Sequence, residues 1–84
     1  MTIPPITQEP RAPAVVRLRT DRIDEIATAR GLATDSARAR RIGVDKSTYS
    51  RVIRGDVAPG ERFIAECLRA FPDLKFDDLF EVTA

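Results

Sequence analysis

Lys46, Ser47, Ser50 and Arg51 are spaced so that a helix of 3.6 residues per turn puts them on one side, opposite Tyr49 and Val52. Lys and Arg only donate hydrogen bonds, and the Arg fork matches guanine O6 and N7 together. Ser hydroxyls bond to bases and phosphates alike, so they discriminate weakly. This side therefore has the chemistry to read base edges, with Lys46 and Arg51 as its sharpest groups. Thr48 on the flank and Arg54 at the far end suit phosphate oxygens. A further phosphate contact is expected at Thr34 and Ser36, where a helix start would offer free backbone N–H groups. Asp35 between them would repel a phosphate, so its carboxylate is expected to cap that helix. Arg40 and Arg41 read as a solvated outer face. Taken alone, a polar face of this kind simply meets water; the residues around it are what raise the nucleic-acid reading.

Two helices joined by a tight turn cross steeply, and such a crossing constrains particular positions. A small side chain is needed where they touch, and Ala39 fits. The turn needs a residue that accepts positive φ, and Gly43 fits. Ile42 and Val44 plug the angle from inside, Asp45 is placed to cap the second helix, and Tyr49, Val52 and Ile53 form its inward stripe. This is the spacing of a helix-turn-helix, whose second helix enters the DNA major groove.

The stretch ARRIGVDKSTYSRVIRGDVAP, residues 39–59, resembles the helix-turn-helix of the XRE family, the DNA-binding domains of phage-type repressors and Cro proteins. The resemblance covers that unit and, more loosely, a five-helix layout over residues 18–80. It implies a compact all-α, lambda-repressor-like bundle that binds double-stranded operator DNA as a homodimer on two half-sites. Departures from the family pattern carry their own expectations. Arg38 stands where the family usually has Leu, so its stem is expected to pack while its head snorkels to water. Tyr49 takes an inward slot usually given to Ile or Val, its hydroxyl reaching the surface or a phosphate. Ile53 replaces a Glu that pairs with an Arg on the first helix in many relatives. Thr28 stands at the matching first-helix position, so apolar contact is expected there instead.

The remaining elements follow from the same periodicities. Residues 1–14 contain four of the six prolines, which suits a flexible tail ahead of one domain over 15–84. VVRLR, residues 15–19, is either a short strand or an extended lead-in, and Glu81 and Val82 are placed to pair with it in a terminal β-pair. Thr20 or Asp21 caps a first helix with Ile23, Ile26 and Ala27 inward and Gly31 past its end. A fourth helix runs from Glu61 to Phe71, burying Phe63, Ile64, Cys67, Leu68 and Phe71, before Pro72 ends it. FDDLF, residues 76–80, makes a last short helix.

Composition bounds the function. One cysteine and no histidine exclude an internal disulfide framework and a Cys/His zinc site. No apolar run nears the roughly 18 residues that span a bilayer, and the first residues lack the pattern of a secretion signal. A cytoplasmic setting is expected, with no membrane partner. No nucleophile–base pair, metal cluster or phosphate loop is visible, so neither enzyme activity nor a cofactor nor a small-molecule ligand is expected. Net charge is +1, yet residues 17–54 carry ten basic against five acidic residues, and residues 55–84 carry three against seven. A basic half joined to an acidic half orients a protein on a polyanion. The function expected is sequence-specific DNA binding by a transcriptional regulator with a recognition helix at about residues 46–54. Two other readings use the same features. An antitoxin-like or phage accessory protein would hold a partner through the tail or the acidic half, leaving Lys46 and Arg51 dispensable. A DNA-architectural or recombination-directionality factor would use the same helix to shape DNA.

Overall fold

A computed structural model describes residues 13–83; the expected Pro-rich tail lies almost wholly outside the described residues. Its elements run β1 (Val15–Leu18), α1 (Thr20–Ala29), α2 (Asp35–Ile42), α3 (Lys46–Arg54), α4 (Glu61–Ala70), α5 (Phe76–Leu79) and β2 (Phe80–Thr83). This is a small helical bundle closed by a two-stranded antiparallel pair, as the periodicity predicts.

Glycines end the first three helices. Gly31, Gly43 and Gly55 all take positive φ, and at Gly43 the value is 96°. Backbone N–H groups of Gly43 and Val44 both return to Ala39 O, at 2.8 and 3.0 Å, which closes α2 and turns the chain into α3. The helix starts differ from expectation. Thr34, not Asp35, caps α2, its Oγ1 accepting from Ala37 N at 3.1 Å. Asp45 occupies the cap position of α3, but its side chain makes no cap hydrogen bond. Arg19 precedes α1 without a side-chain cap, and Asp21 Oδ1 accepts from the neighbouring Arg22 N. A Thr hydroxyl on a short stem reaches the third N–H of a helix as well as a carboxylate does, and that leaves Asp35 free for another contact.

Leu18, Ile23, Ala39, Ile42, Tyr49, Val52, Phe63, Cys67, Phe71, Leu79 and Phe80 form the core. α2 packs against both α3 and α4, and α1 against α5. Ala39 is buried at the α2 side of this junction, where a larger side chain would push the helices apart. Leu68, expected inward, is half-buried instead, because α4 is covered mainly along Phe63 and Cys67. Burial pushes the Cys67 thiol up to about 12, so it behaves as a small apolar core residue.

The β-pair joins the two ends of the domain. Val16 faces Val82 and Leu18 faces Phe80. A two-stranded ribbon is marginal alone, so this one depends on its anchors. Leu18 and Phe80 are buried beneath it, and Arg19 N donates to Leu79 O at 2.7 Å. The Arg19 guanidinium adds bonds from Nε to Asp77 O and Phe80 O, at 3.1 and 3.2 Å.

Arg30, at the end of α1, clamps the loop after α4. Its two terminal nitrogens meet the two Asp73 oxygens at 3.1 and 2.6 Å, and its guanidinium lies 5.4 Å above the Phe71 ring. The hydrogen bond from Arg30 holds the Asp73 carboxyl below its ordinary value of 3.8. A carboxyl depressed in the folded state stabilises above its unfolded value and loses that contribution as pH falls through the folded one. Asp73→Asn is therefore expected to lower the melting temperature slightly near neutral pH. The gap from wild type should close as pH is lowered through 3.8 and below. Thermal melts at a series of pH values check this; a gap that persists in acid would show the pair is not its source.

Candidate nucleic-acid interface

α3 is built with two sides. Tyr49 and Val52 are buried, Ile53 is half-buried against the core, and Lys46, Ser47, Arg51 and Arg54 are exposed. On a 3.6-residue repeat, Lys46, Ser50, Arg54, Ser47 and Arg51 span an arc of about 140° facing away from the bundle. The structure thus gathers the four residues expected to read bases onto one surface. Thr48 is half-buried and turns instead to a cleft lined by Gly43, Val44, Asp45, Gly60, Arg62 and Phe63. It flanks the outer face rather than sharing it.

Ion pairing divides the basic residues. Arg19, Arg22 and Arg30 each have a carboxylate within 4.0 Å, in Glu81, Glu25 and Asp78, and Asp73 respectively. Arg54 Nε meets Asp56 Oδ2 at 3.1 Å, so this expected phosphate contact already has an exposed partner. Exposed pairs of that kind are worth about 0–1 kcal/mol and exchange readily for another anion. Among the described residues, Lys46, Arg51, Arg40 and Arg41 are exposed and make no ion pair within 4.0 Å.

The start of α2 adjoins the outer face of α3. Ser50 Oγ donates to Asp35 Oδ2 at 3.4 Å, and both residues are half-buried. Thr34 and Ser36 are exposed beside this contact. The Thr34 hydroxyl oxygen already accepts from Ala37 N, so what Thr34 can offer a phosphate is its hydroxyl proton and its own backbone. Ser36 retains a free hydroxyl at the helix start, among the described residues.

Arg38 corrects a sequence expectation. Its head does not snorkel: the residue is 7% exposed, and the guanidinium points back at α1. Nη1 lies 2.9 Å from Asp24 Oδ1, Nη2 donates to Thr28 Oγ1 at 3.1 Å, and Nε donates to Leu32 O at 2.8 Å. Thr28 therefore does not exchange a charge pair for apolar contact with Ile53. It joins a polar cluster that ties α1, the following loop and α2 together, and so fixes the platform on which α3 sits. Asp24 and Thr28 stand four residues apart on one helix face, so both reach the same guanidinium once α2 crosses α1.

Tyr49 corrects another. The side chain is fully buried and its hydroxyl reaches neither surface nor phosphate. Among the described residues the hydroxyl has no partner at hydrogen-bonding geometry, and the neighbouring Arg38 guanidinium only partly offsets its burial. Burial pushes the Tyr49 hydroxyl above its ordinary value. Tyr49→Phe is expected to raise stability by about 1 kcal/mol, because a buried hydroxyl without a partner carries a desolvation cost of that order. Urea unfolding checks the stability, and unchanged DNA affinity in the same variant would confirm that the hydroxyl stays inside.

Arg62 and Arg17 were not anticipated. Arg62 shares the cleft beside Thr48 at the start of α3, and Arg17 shares with Arg54 a cleft lined by Val57 and Pro59 at its far end. Both are exposed, and among the described residues neither makes an ion pair within 4.0 Å. Their positions bracket α3. Arg17 was visible as the outward residue of an alternating strand; Arg62 carried no sequence signal, because its placement depends on how α4 folds back.

Comparison with known proteins adds one relative. The chain is 48% identical over 42 residues to a Bacillus subtilis (strain 168) protein described as "Uncharacterized HTH-type transcriptional regulator YvzC". The matched stretch covers 50% of this chain and 53% of that protein, so the chain spans about half the length of the curated relative it matches. No family model matches the chain, and no solved structure matches it. Among the described residues, no helix is long and apolar enough to cross a membrane, and no group of three or more acidic or Cys side chains is placed to hold a metal.

Proposed function

We propose that this protein is a sequence-specific DNA-binding transcriptional regulator of the XRE, phage repressor/Cro-like kind. α2 and α3 form its helix-turn-helix, and α3 enters the major groove of an operator bound by a homodimer. It acts in the cytoplasm, without cofactor or catalysis. The observation that carries this reading is that, among the described residues, the exposed Arg40, Arg41, Lys46 and Arg51 of α2 and α3 make no ion pair, while Arg19, Arg22 and Arg30 around α1 each have a carboxylate partner. Surface cations without internal partners are available to a polyanion at no cost in broken pairs. The relative described as an HTH-type transcriptional regulator supports the same conclusion.

Roles follow from position. Lys46 and Arg51 read guanine edges, Ser47 and Ser50 make weaker contacts to other base edges, and Thr34, Ser36, Thr48 and Arg54 meet phosphates. Arg17 and Arg62 extend the phosphate contacts beyond each end of α3. The test is a footprint on the DNA flanking the protein's own gene at two salt concentrations. A short, two-fold symmetric protected site is expected. If each subunit neutralises about four to five phosphates, log affinity should fall with log salt at a slope near −4 per subunit. An affinity independent of salt would overturn the reading, and no binding at all would direct the search to a protein partner.

A further inference from the structure

The contact between Asp35 and Ser50 places a carboxylate on a surface otherwise suited to a polyanion. Asp35 is half-buried at the first turn of α2, and among the described residues no cation lies within 4.0 Å of it. Its one side-chain partner among the described residues is the Ser50 hydroxyl, which donates to Oδ2 at 3.4 Å. A hydroxyl has a single proton. With that proton turned towards Asp35, the Ser50 oxygen faces outward with lone pairs alone. The Asp35 carboxylate also only accepts. Between the donor-only side chains of Lys46 and Arg51, the two residues therefore make a small patch that can accept hydrogen bonds and cannot give them.

A major-groove edge offers few donors to such a patch. Guanine presents N7 and O6, both acceptors, and thymine presents O4 and a methyl group. Cytosine N4 and adenine N6 are the exocyclic amines that donate there. We infer that Asp35 and Ser50 act together as a specificity determinant that takes the exocyclic amino group of cytosine or adenine. This rests on the reading of α3 as the base-reading helix. The carboxylate makes every sequence somewhat less favourable, because it faces phosphate charge without a cation of its own. Only a base that presents an amine recovers that loss, and discrimination arises from the difference.

Asp35→Asn separates this from a general electrostatic role, because it keeps the shape and reverses part of the polarity. The amide can donate to Ser50 Oγ, which turns the hydroxyl proton outward. Binding selections from a randomised duplex pool, sequenced for wild type, Asp35→Asn and Ser50→Ala, give base preference position by position. Wild type is expected to show one position favouring cytosine or adenine. That preference should fall by about three- to tenfold in Asp35→Asn, shifting towards guanine or thymine, and should also fall in Ser50→Ala, the size being that of one hydrogen bond. The guanine preference set by Arg51 should persist, and Asp35→Asn should bind random DNA more tightly than wild type. Unchanged preferences in Asp35→Asn, or an equal loss at every position, would overturn the inference while leaving base reading by α3 intact. A wild type that selects no sequence would overturn the base-reading role of α3 itself, and this inference with it. Melting curves of both variants beside wild type show that folding is not the cause.

Discussion

Lys46→Ala with Arg51→Ala is expected to remove most of the preference for the operator over random DNA while leaving the fold untouched. Arg51→Ala alone should cost about 1–3 kcal/mol on the operator and relax specificity at the base it reads. Together the two changes should cost about 2–5 kcal/mol there, roughly 30- to several-thousand-fold in affinity. Random DNA loses only the charge contribution, seen as a salt slope shallower by about 2. The prediction is sharp because neither residue holds anything else in place: among the described residues both are exposed and neither makes an ion pair. Substitution of such surface residues changes stability by about 0.5 kcal/mol or less. Titrations on the footprinted site and on a scrambled duplex, with melting curves alongside, measure each part. Arg54→Ala is the control for a phosphate contact and should weaken both duplexes alike. Equal losses on both duplexes for Arg51→Ala would remove α3 from base recognition, whatever else it does on DNA.

The sequence disclosed more of this architecture than of its polar connections, and the difference has a physical source. Ala39, Gly43, Val44, Tyr49 and Val52 announce a tight helix pair because packing and positive φ act over a few residues. Core stripes at Ile23 and Ala27, and at Phe63 and Cys67, were legible for the same reason, since helical period alone sorts them. The terminal β-pair was suggested by one alternating strand, and the register of Val16 on Val82 completes it. Arg38, by contrast, sits in an apolar stripe, where one chain segment alone suggests snorkelling. Its actual partners, Asp24, Thr28 and Leu32, become neighbours only once α1 and α2 cross. The buried Tyr49 hydroxyl and the Ser50–Asp35 contact belong to the same class. Caps fall between the two: the cap positions of α2 and α3 were legible, but that Thr34 closes α2 while Asp35 meets Ser50 of the next helix shows only in the folded chain.

Gly43→Val is expected to be the most damaging single change at the turn, by about 1–3 kcal/mol, through two separable effects. At φ 96° and ψ 30° a β-branched residue is strained by backbone sterics, at about 1–2 kcal/mol. A Cβ at this position would also stand 3.0 Å from Glu66 Oε2 of α4. That carboxylate is the far end of a flexible side chain, so it can shift, but only by disturbing its pair with the exposed Arg69, whose Nη2 lies 2.7 Å from Glu66 Oε1. Disturbing an exposed pair of this kind adds about 0–1 kcal/mol. A domain of this size has only about 5–10 kcal/mol in hand, so a large share of its stability would go. Gly31 and Gly55 serve as references, since both have φ 79° and a Cβ there meets nothing within 4 Å. Gly31→Val should therefore show the backbone strain without the crowding. Adding Glu66→Ala to Gly43→Val should recover the crowding part alone, which a double-mutant cycle in urea resolves. Equal losses at positions 31 and 43, with no recovery on Glu66→Ala, would mean that the turn tolerates a side chain and that backbone strain alone requires glycine there. The expected outcome is unequal losses, because Gly43 is where the turn between α2 and α3 meets α4, and the angle that sets α3 outward is held from both sides.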